Sequence, residues 1–423
     1  MIALPDDDAA PDPPAVADRP SMDYPVKRQH ALVTPDYAAL AGHGPVARVR
    51  LPDGSTACLV TGHSECRQAL AHPKLSADSS RPGFPRLQKR PPRLLLSGGG
   101  TDPARSNRTF MQMDPPYHDA IRRMLQESFA PGAVRAMDPM VRRIADGLID
   151  AMAEAGSPAD LIASFAAPFP ALVICEILGV PRQDHRMVEQ ETHRLLSLSG
   201  PSRARIRALR VVNDYLAGLV DRAAKDPSDD LIGRLVREFL WTGGLQRDEL
   251  LTTVRLVLMA GLETTASMIG LSFARLLHEP DLYRAVRDDP AVIPVAVEEL
   301  LRFDTIIHHG IRRVATEDIQ LGSVLIRRGE GVIVSVSAAN RDPQVFESPE
   351  RIDFHRKSAR NHLSFSGGVH YCLGHILARM ELSTALSVVT RAFPGLRLVG
   401  PVNEIDFRED AFVYGASELP VAW

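Results

Sequence analysis

Residues 361–382 read NHLSFSGGVHYCLGHILARMEL, a glycine-rich turn that delivers one cysteine just before a clean helical pattern. Cys372 falls at the N-terminal end of that helix. Free backbone N–H groups and the positive end of the helix dipole favour a thiolate there, and a thiolate is the form that ligates a metal or attacks carbon. Gly368 and Gly374 carry no Cβ, which lets the backbone pass close to a flat ligand. His370, two residues before the cysteine, can donate to an anionic group. A buried structural cysteine after a loop is the plainer alternative, so the rest of the chain has to decide.

The surrounding 423 residues are 45% hydrophobic and 24% charged, an ordinary globular composition with length enough for a large core. With 49 Lys+Arg against 52 Asp+Glu the net charge is -3, which gives no global electrostatic case for nucleic acid or an acidic membrane. Four cysteines, Cys58, Cys66, Cys175 and Cys372, are too scattered for a disulfide framework, and no C-x-x-C spacing occurs. A reducing cytoplasm fits. The start, MIALPDDDAAPDPP, is acidic and proline-broken rather than basic then apolar, and no run approaches the roughly 18 apolar residues of a membrane span. Neither a signal peptide nor a membrane anchor is expected.

Residues 1–22 read as a disordered acidic, proline-rich tail, and 23–423 as one large domain. GPVARVRLPDGSTACLVTG, from Gly44, alternates about Asp53-Gly54 and predicts a β-hairpin. A second β-like stretch runs from Ile319 to Asp342. Helical periodicity marks 117–129, 134–153, 159–178, 204–224, 247–277, 291–303 and 373–392. Strands, a long helical block, then strands, without βαβ alternation, predict a mainly α (α+β) fold with small sheets. Residues 90–108, with Gly98-Gly99-Gly100, are the most loop-like internal stretch.

Three other segments carry chemistry. In AVEELLRF, residues 296–303, Glu299 and Arg302 stand three apart on one helix face, which alone is a surface ion pair of about 0.3–0.5 kcal/mol. LTTVRLVLMAGLETTASMIGLSFARLL, residues 251–277, is core-like but holds Gly261, Glu263, Thr264 and Thr265 at its middle. A mid-helix glycine costs about 1 kcal/mol, and the Thr264 hydroxyl can bond back to the Ala260 carbonyl. Together these would open the helix locally. MDPPYHDAIRRMLQESFAP, residues 113–131, sets His118 and Arg122 four apart, a pair suited to a carboxylate or to plain pairing with Asp119 or Glu127.

Phe365-x-x-Gly368-x-His370-x-Cys372-x-Gly374 resembles the haem-binding signature of the cytochrome P-450 superfamily, soluble bacterial type, at each defining position. From that resemblance the cysteine sulfur is the axial ligand of haem b, iron protoporphyrin IX, and pushes electron density toward the iron. The resemblance implies further roles in the same order along the chain. Glu299 and Arg302 would lock to Arg356 in SPERIDFHR and brace the cysteine loop. Ala260-Gly261-Leu262-Glu263-Thr264-Thr265 looks like the oxygen-activating segment, with Glu263 and Thr264 passing protons. His118 and Arg122 would hold a propionate, as would Arg313 in IRRVATEDIQLG, with Arg312 as its substitute. The likeness spans about Gly44 to Trp423; Ser366 departs from it, standing where glycine is commonest.

The implied reaction is monooxygenation of a small apolar substrate, a medium or large secondary metabolite, by hydroxylation or epoxidation. No G-x-G-x-x-G in a βαβ unit and no room for a flavin domain exist. Electrons from NAD(P)H would therefore arrive through a separate ferredoxin and ferredoxin reductase, to a cytoplasmic monomer. By family placement the pocket includes Met259, Ile306, Ile307, His308, Phe412 and Val413; the His308-His309 pair suggests a substrate with a hydrogen-bonding group, or equally a solvated turn. Two alternatives stay open: a peroxide-dependent or non-oxygenating haem-thiolate enzyme, and a haem-based binding or sensor protein.

Overall fold

In the computed structural model the described residues are 22–26, 32, 42–87, 108–196, 202–408, 411 and 413–423. Strands β1 (Met22–Asp23), β2 (Val46–Arg50), β3 (Thr56–Val60), β4 (Leu75–Ser76), β6 (Ile311–Ala315) and β9 (Gly331–Val334) form a six-stranded mixed sheet in the order β1-β2-β3-β9-β6-β4. Strands β5 (Ala159–Asp160), β10 (Arg397–Leu398) and β11 (Pro420–Ala422) make a second sheet. Strands β7 (Ile319–Leu321) and β8 (Val324–Ile326) form a third. The hairpin expected about Asp53-Gly54 is the antiparallel β2–β3 pair, Val46 opposite Val60.

Ten helices of nine residues or more occur among the described residues. They are α1 (His63–Ala71), α2 (Tyr117–Gln126), α3 (Asp138–Ala155), α4 (Pro168–Leu178), α5 (His185–Leu196), α6 (Ser202–Ala223), α7 (Arg247–His278), α8 (Pro280–Asp288), α9 (Ile293–Phe303) and α10 (His375–Ala392). The mainly α architecture with small sheets is as expected. Helix α7 organises it. A capping box, in which the Gln246 N–H donates to Glu249 Oε2 at 2.8 Å, starts the helix. Its 32 residues then run about 48 Å through the core, packing on α4, α6 and α10. By length and composition α7 could cross a membrane, but 67% of its most apolar window is buried within the protein. That is how a core helix with apolar residues all round behaves.

Several boundaries differ from the sequence expectation. Met22, assigned to the tail, pairs in parallel with Val49 and belongs to the sheet; residues 1–21 lie outside the described ones. The β-like stretch ends at Val334, because the Ser335 hydroxyl accepts from Ala338 N–H and turns 336–339 into a helical turn. The 90–108 loop falls outside the described residues except Arg108, which pairs with Asp78 at 2.8 Å.

Candidate active site around Cys372

The cysteine loop is fixed from three sides. At Gly368, φ is +62° and a Cβ would lie 2.4 Å from the Leu70 carbonyl oxygen of α1, so glycine is required by both backbone and contact. The Cys372 N–H donates to the Phe365 carbonyl at 2.9 Å and closes the turn. Helix α10 begins at His375, three residues beyond the cysteine, with Gly374 as its cap. At Gly374 a Cβ would meet nothing within 4 Å, so protein packing does not demand glycine there. Burial raises the Cys372 thiol above its ordinary value, while the Gly374 N–H and the Arg122 and Arg379 cations favour the thiolate. In the bare chain desolvation therefore outweighs the helix-end effect on which the sequence reading relied.

Among the described residues Ser366 is one of two non-glycines with positive φ, at +65°, and its Oγ is buried without a partner. The left-handed conformation costs a non-glycine residue roughly 1–2 kcal/mol. Ser366→Gly is therefore expected to stabilise the protein by about 1 kcal/mol, read as a raised midpoint of thermal unfolding.

Above the loop, α2 and β6 bring together the predicted basic residues. His118 is fully buried; its Nδ1 donates to Asp119 at 2.8 Å and its Nε2 has no partner. The His118 and His370 rings lie 4.4 Å apart. Burial, followed by Arg313, His118 and Arg122, pushes His370 down to about 3, so it is neutral at pH 7. Arg313 is 6% exposed, gives one hydrogen bond to the Arg312 carbonyl, and is lowered by burial to about 10, with Asp114 opposing. Arg122 is also lowered by burial, with Cys372 and Asp119 opposing. Successive strand residues face opposite ways: Arg312 turns to the Phe84 ring and the Pro85 carbonyl instead. Position 313, and not 312, joins the cluster. The donors here outnumber the acceptors, and they fit the two carboxylates of a haem.

Behind the loop, Glu299 Oε1 and Oε2 accept from Arg302 at 2.8 Å each, and Oε1 accepts from Arg356 Nε at 2.8 Å. Glu299 and Arg302 are both 0% exposed, so this is no surface pair. The adjacent Glu298 accepts from Arg379 and His362, which hold its carboxyl down at about 2 despite burial. Arg379 lies 4.4 Å over the Phe365 ring. Glu298, His362 and Arg379 were not singled out from sequence, although EE in AVEELLRF was the visible signal.

On α7 the Thr264 hydroxyl donates to the Ala260 carbonyl at 2.6 Å, as expected. The helix nevertheless stays continuous from Arg247 to His278, contrary to the expected local opening. Gly261 has a packing reason: a Cβ would stand 3.0 Å from the Ile174 side chain on α4. Glu263 is buried and ion-paired to Arg408, whose Nη2 donates to Ser267 at 2.8 Å. Sequence reading missed Arg408, which lies 145 residues away in an irregular segment. Burial raises Glu381 of α10 to about 8, against a Thr265 hydrogen bond, so it is protonated at neutral pH between the two helices.

The pocket residues divide. Met259 is half-buried on α7 beside the exposed Ala260. Ile306 packs on the main core and its carbonyl accepts from the Tyr414 N–H at 2.9 Å, while Ile307 packs against the six-stranded sheet's cluster. His308 Nε2 donates to the Ala411 carbonyl at 3.0 Å and its ring stacks 3.7 Å from that of His309. That nitrogen thus ties two loops together. Val413 is buried; Phe412 lies outside the described residues.

Comparison with known proteins agrees with this geometry. Residues 184–398 match the family described as Cytochrome P450. Cytochrome P450-SU2 of Streptomyces griseolus is 43% identical over 390 residues, 92% of this chain and 93% of that protein. Pentalenic acid synthase of Streptomyces avermitilis is 41% identical over 389 residues, 92% and 93% of the two chains. The crystal structure of GfsF, from Streptomyces halstedii, superposes with a TM-score of 0.87 at 37% identity, covering 95% of this chain and 100% of that one.

Proposed function

Because the chain belongs to the cytochrome P450 family, we propose that Cys372 would hold the iron of haem b through its thiolate and that residues 23–423 form one catalytic unit. As a member it is a haem-dependent monooxygenase: one oxygen atom of O2 enters a substrate, the other leaves as water, and two electrons and two protons are consumed. Haem supplies the activation of dioxygen when bound.

The observation that carries the site assignment is the surplus of buried donors beside the cysteine. Arg122 and Arg313 would donate to the propionates, with His118, whose Nε2 has no partner, beside them. Neutral His370 can add one N–H. Uncompensated guanidinium groups are costly to bury, and two carboxylates supplied by the cofactor would pair them. Phe365 and Gly374 would border the ring. The test is the reduced, carbon-monoxide-bound spectrum, which should show the red-shifted Soret band of a thiolate-held haem.

Ala260, Gly261 and Thr264 would face the oxygen side. The Thr264 hydroxyl holds a proton on Oγ against the Ala260 carbonyl, and Glu263 is the acid that would resupply it, held in place by Arg408. Having acid and alcohol on one helical stretch supports oxygen-dependent catalysis over a peroxide-driven or sensing role. Thr264→Val should keep the haem spectrum and substrate affinity yet lower product formed per reductant consumed by about tenfold, with peroxide released instead. Unchanged coupling would remove the proton role. Electrons are assigned to NAD(P)H through a ferredoxin and its reductase, the substrate to an apolar secondary metabolite, and the protein to a cytoplasmic monomer.

A further inference from the structure

Helix α7 is buried through most of its length, yet one side of its middle is not. Leu256, Met259 and Thr264 are half-buried and Ala260 is exposed. Leu256 and Met259 belong to none of the apolar core clusters. Residues 256, 260 and 264 recur every four positions, so the less buried residues share one side of the helix. Arg255 stands at the upstream end of that stretch, beside Leu256 and one turn before Met259.

Its surroundings differ from those of most other inward-facing arginines; Arg312 also lacks an acid but lies over the Phe84 ring, away from this helix. Arg275 is paired with Asp304, Arg302 and Arg356 with Glu299, and Arg379 with Glu298. Arg122 and Arg313 flank the cysteine, where the cofactor's carboxylates would answer them. Arg255 makes one hydrogen bond, from Nη1 to Asn213 Oδ1 on α6 at 2.9 Å, and no ion pair among the described residues. Burial lowers its pKa and no acid opposes the shift. A guanidinium carries five N–H donors in a fork that matches a carboxylate. Most of that fork is unused in a half-buried place where an unpaired charge is unfavourable.

We propose that Arg255, oriented by Asn213, is an anion-recognition subsite that selects substrates carrying a carboxylate group. The proposal rests on the haem reading, since it places the subsite in the same pocket. Arg255 and Thr264 are nine residues apart, about 14 Å along the helix axis. The oxidised position is therefore remote from the acid group, and the span between them is the apolar part of the molecule, lying along Leu256, Met259 and Ala260.

The test uses purified holoprotein and the low-to-high-spin shift, with dodecanoate, hexadecanoate and abietate each compared with its own primary amide. At least one acid is expected to bind about tenfold more tightly than its amide. In Arg255→Gln that acid should weaken to the level of the amide while the amide's affinity stays the same, and Arg255→Lys should restore part of the preference. Equal binding of every acid and amide by the unmodified protein overturns the proposal, as does a Gln variant that weakens both alike. The carbon-monoxide spectrum, recorded on all three proteins, keeps the two readings separate. A normal thiolate band with no acid preference removes the subsite alone, whereas its loss from the unmodified protein removes the haem assignment.

Discussion

Cys372→Ser is expected to abolish the red-shifted carbon-monoxide band and to lower monooxygenase turnover by about a thousandfold or more, while the chain still folds. The replacement removes one sulfur and keeps the volume of the side chain nearly constant. The sulfur accepts only from the Gly374 N–H, which a serine oxygen can also do, and the rest of the loop does not use it: the turn is closed by the backbone of residue 372, and Gly368 is set against Leu70 by backbone contact. Far-UV circular dichroism should therefore be unchanged. An unaltered optical signature in the serine protein would mean that another residue holds the iron.

The second large effect is structural. Arg302→Ala should destabilise the protein by on the order of 3–5 kcal/mol and leave little haem-loaded protein. All five of its N–H donors are used: two on Glu299, and one each on the carbonyls of Asn340, Pro349 and Arg351. Its removal takes the partner from the buried Asn340 carbonyl and from one oxygen of the buried Glu299 carboxylate, although the Arg351 carbonyl keeps its bond from Arg356. Arg302→Lys should rescue poorly, because an ammonium has three donors and no fork. Arg142→Ala, which breaks the exposed pair with Asp138, is the control and should stay within about 0.5 kcal/mol. Measured by thermal unfolding and haem content, equal effects at Arg302 and Arg142 would refute the ranking.

The two pairs also show where sequence reading reaches its limit. Glu299-x-x-Arg302 and Asp138-x-x-x-Arg142 are both helical acid-base spacings, and nothing local distinguishes the 0% exposed pair from the exposed one. Burial is a property of what packs on α9, and only the resemblance to a family carried that information. The cysteine loop was legible because its chemistry is contiguous. The Arg408 contact to Glu263 was not, since it joins an irregular segment to a helix and leaves no periodic trace. Helix α8 escaped notice because it buries only Tyr283 and Val286, too few positions to display a period. At Gly261 the sequence left chemistry and close packing side by side, and only the fold shows the contact, a Cβ there standing 3.0 Å from Ile174.

Glu298 and Glu299 are neighbours in sequence but point to different partners. One carboxylate reaches His362 and Arg379 on either side of the cysteine turn, and the other reaches Arg302 and Arg356 behind it. Every one of these bonds joins polypeptide to polypeptide. The walls of the socket are thus tied by bonds of the chain alone, so cutting either network should loosen the grip on the porphyrin as well as the fold.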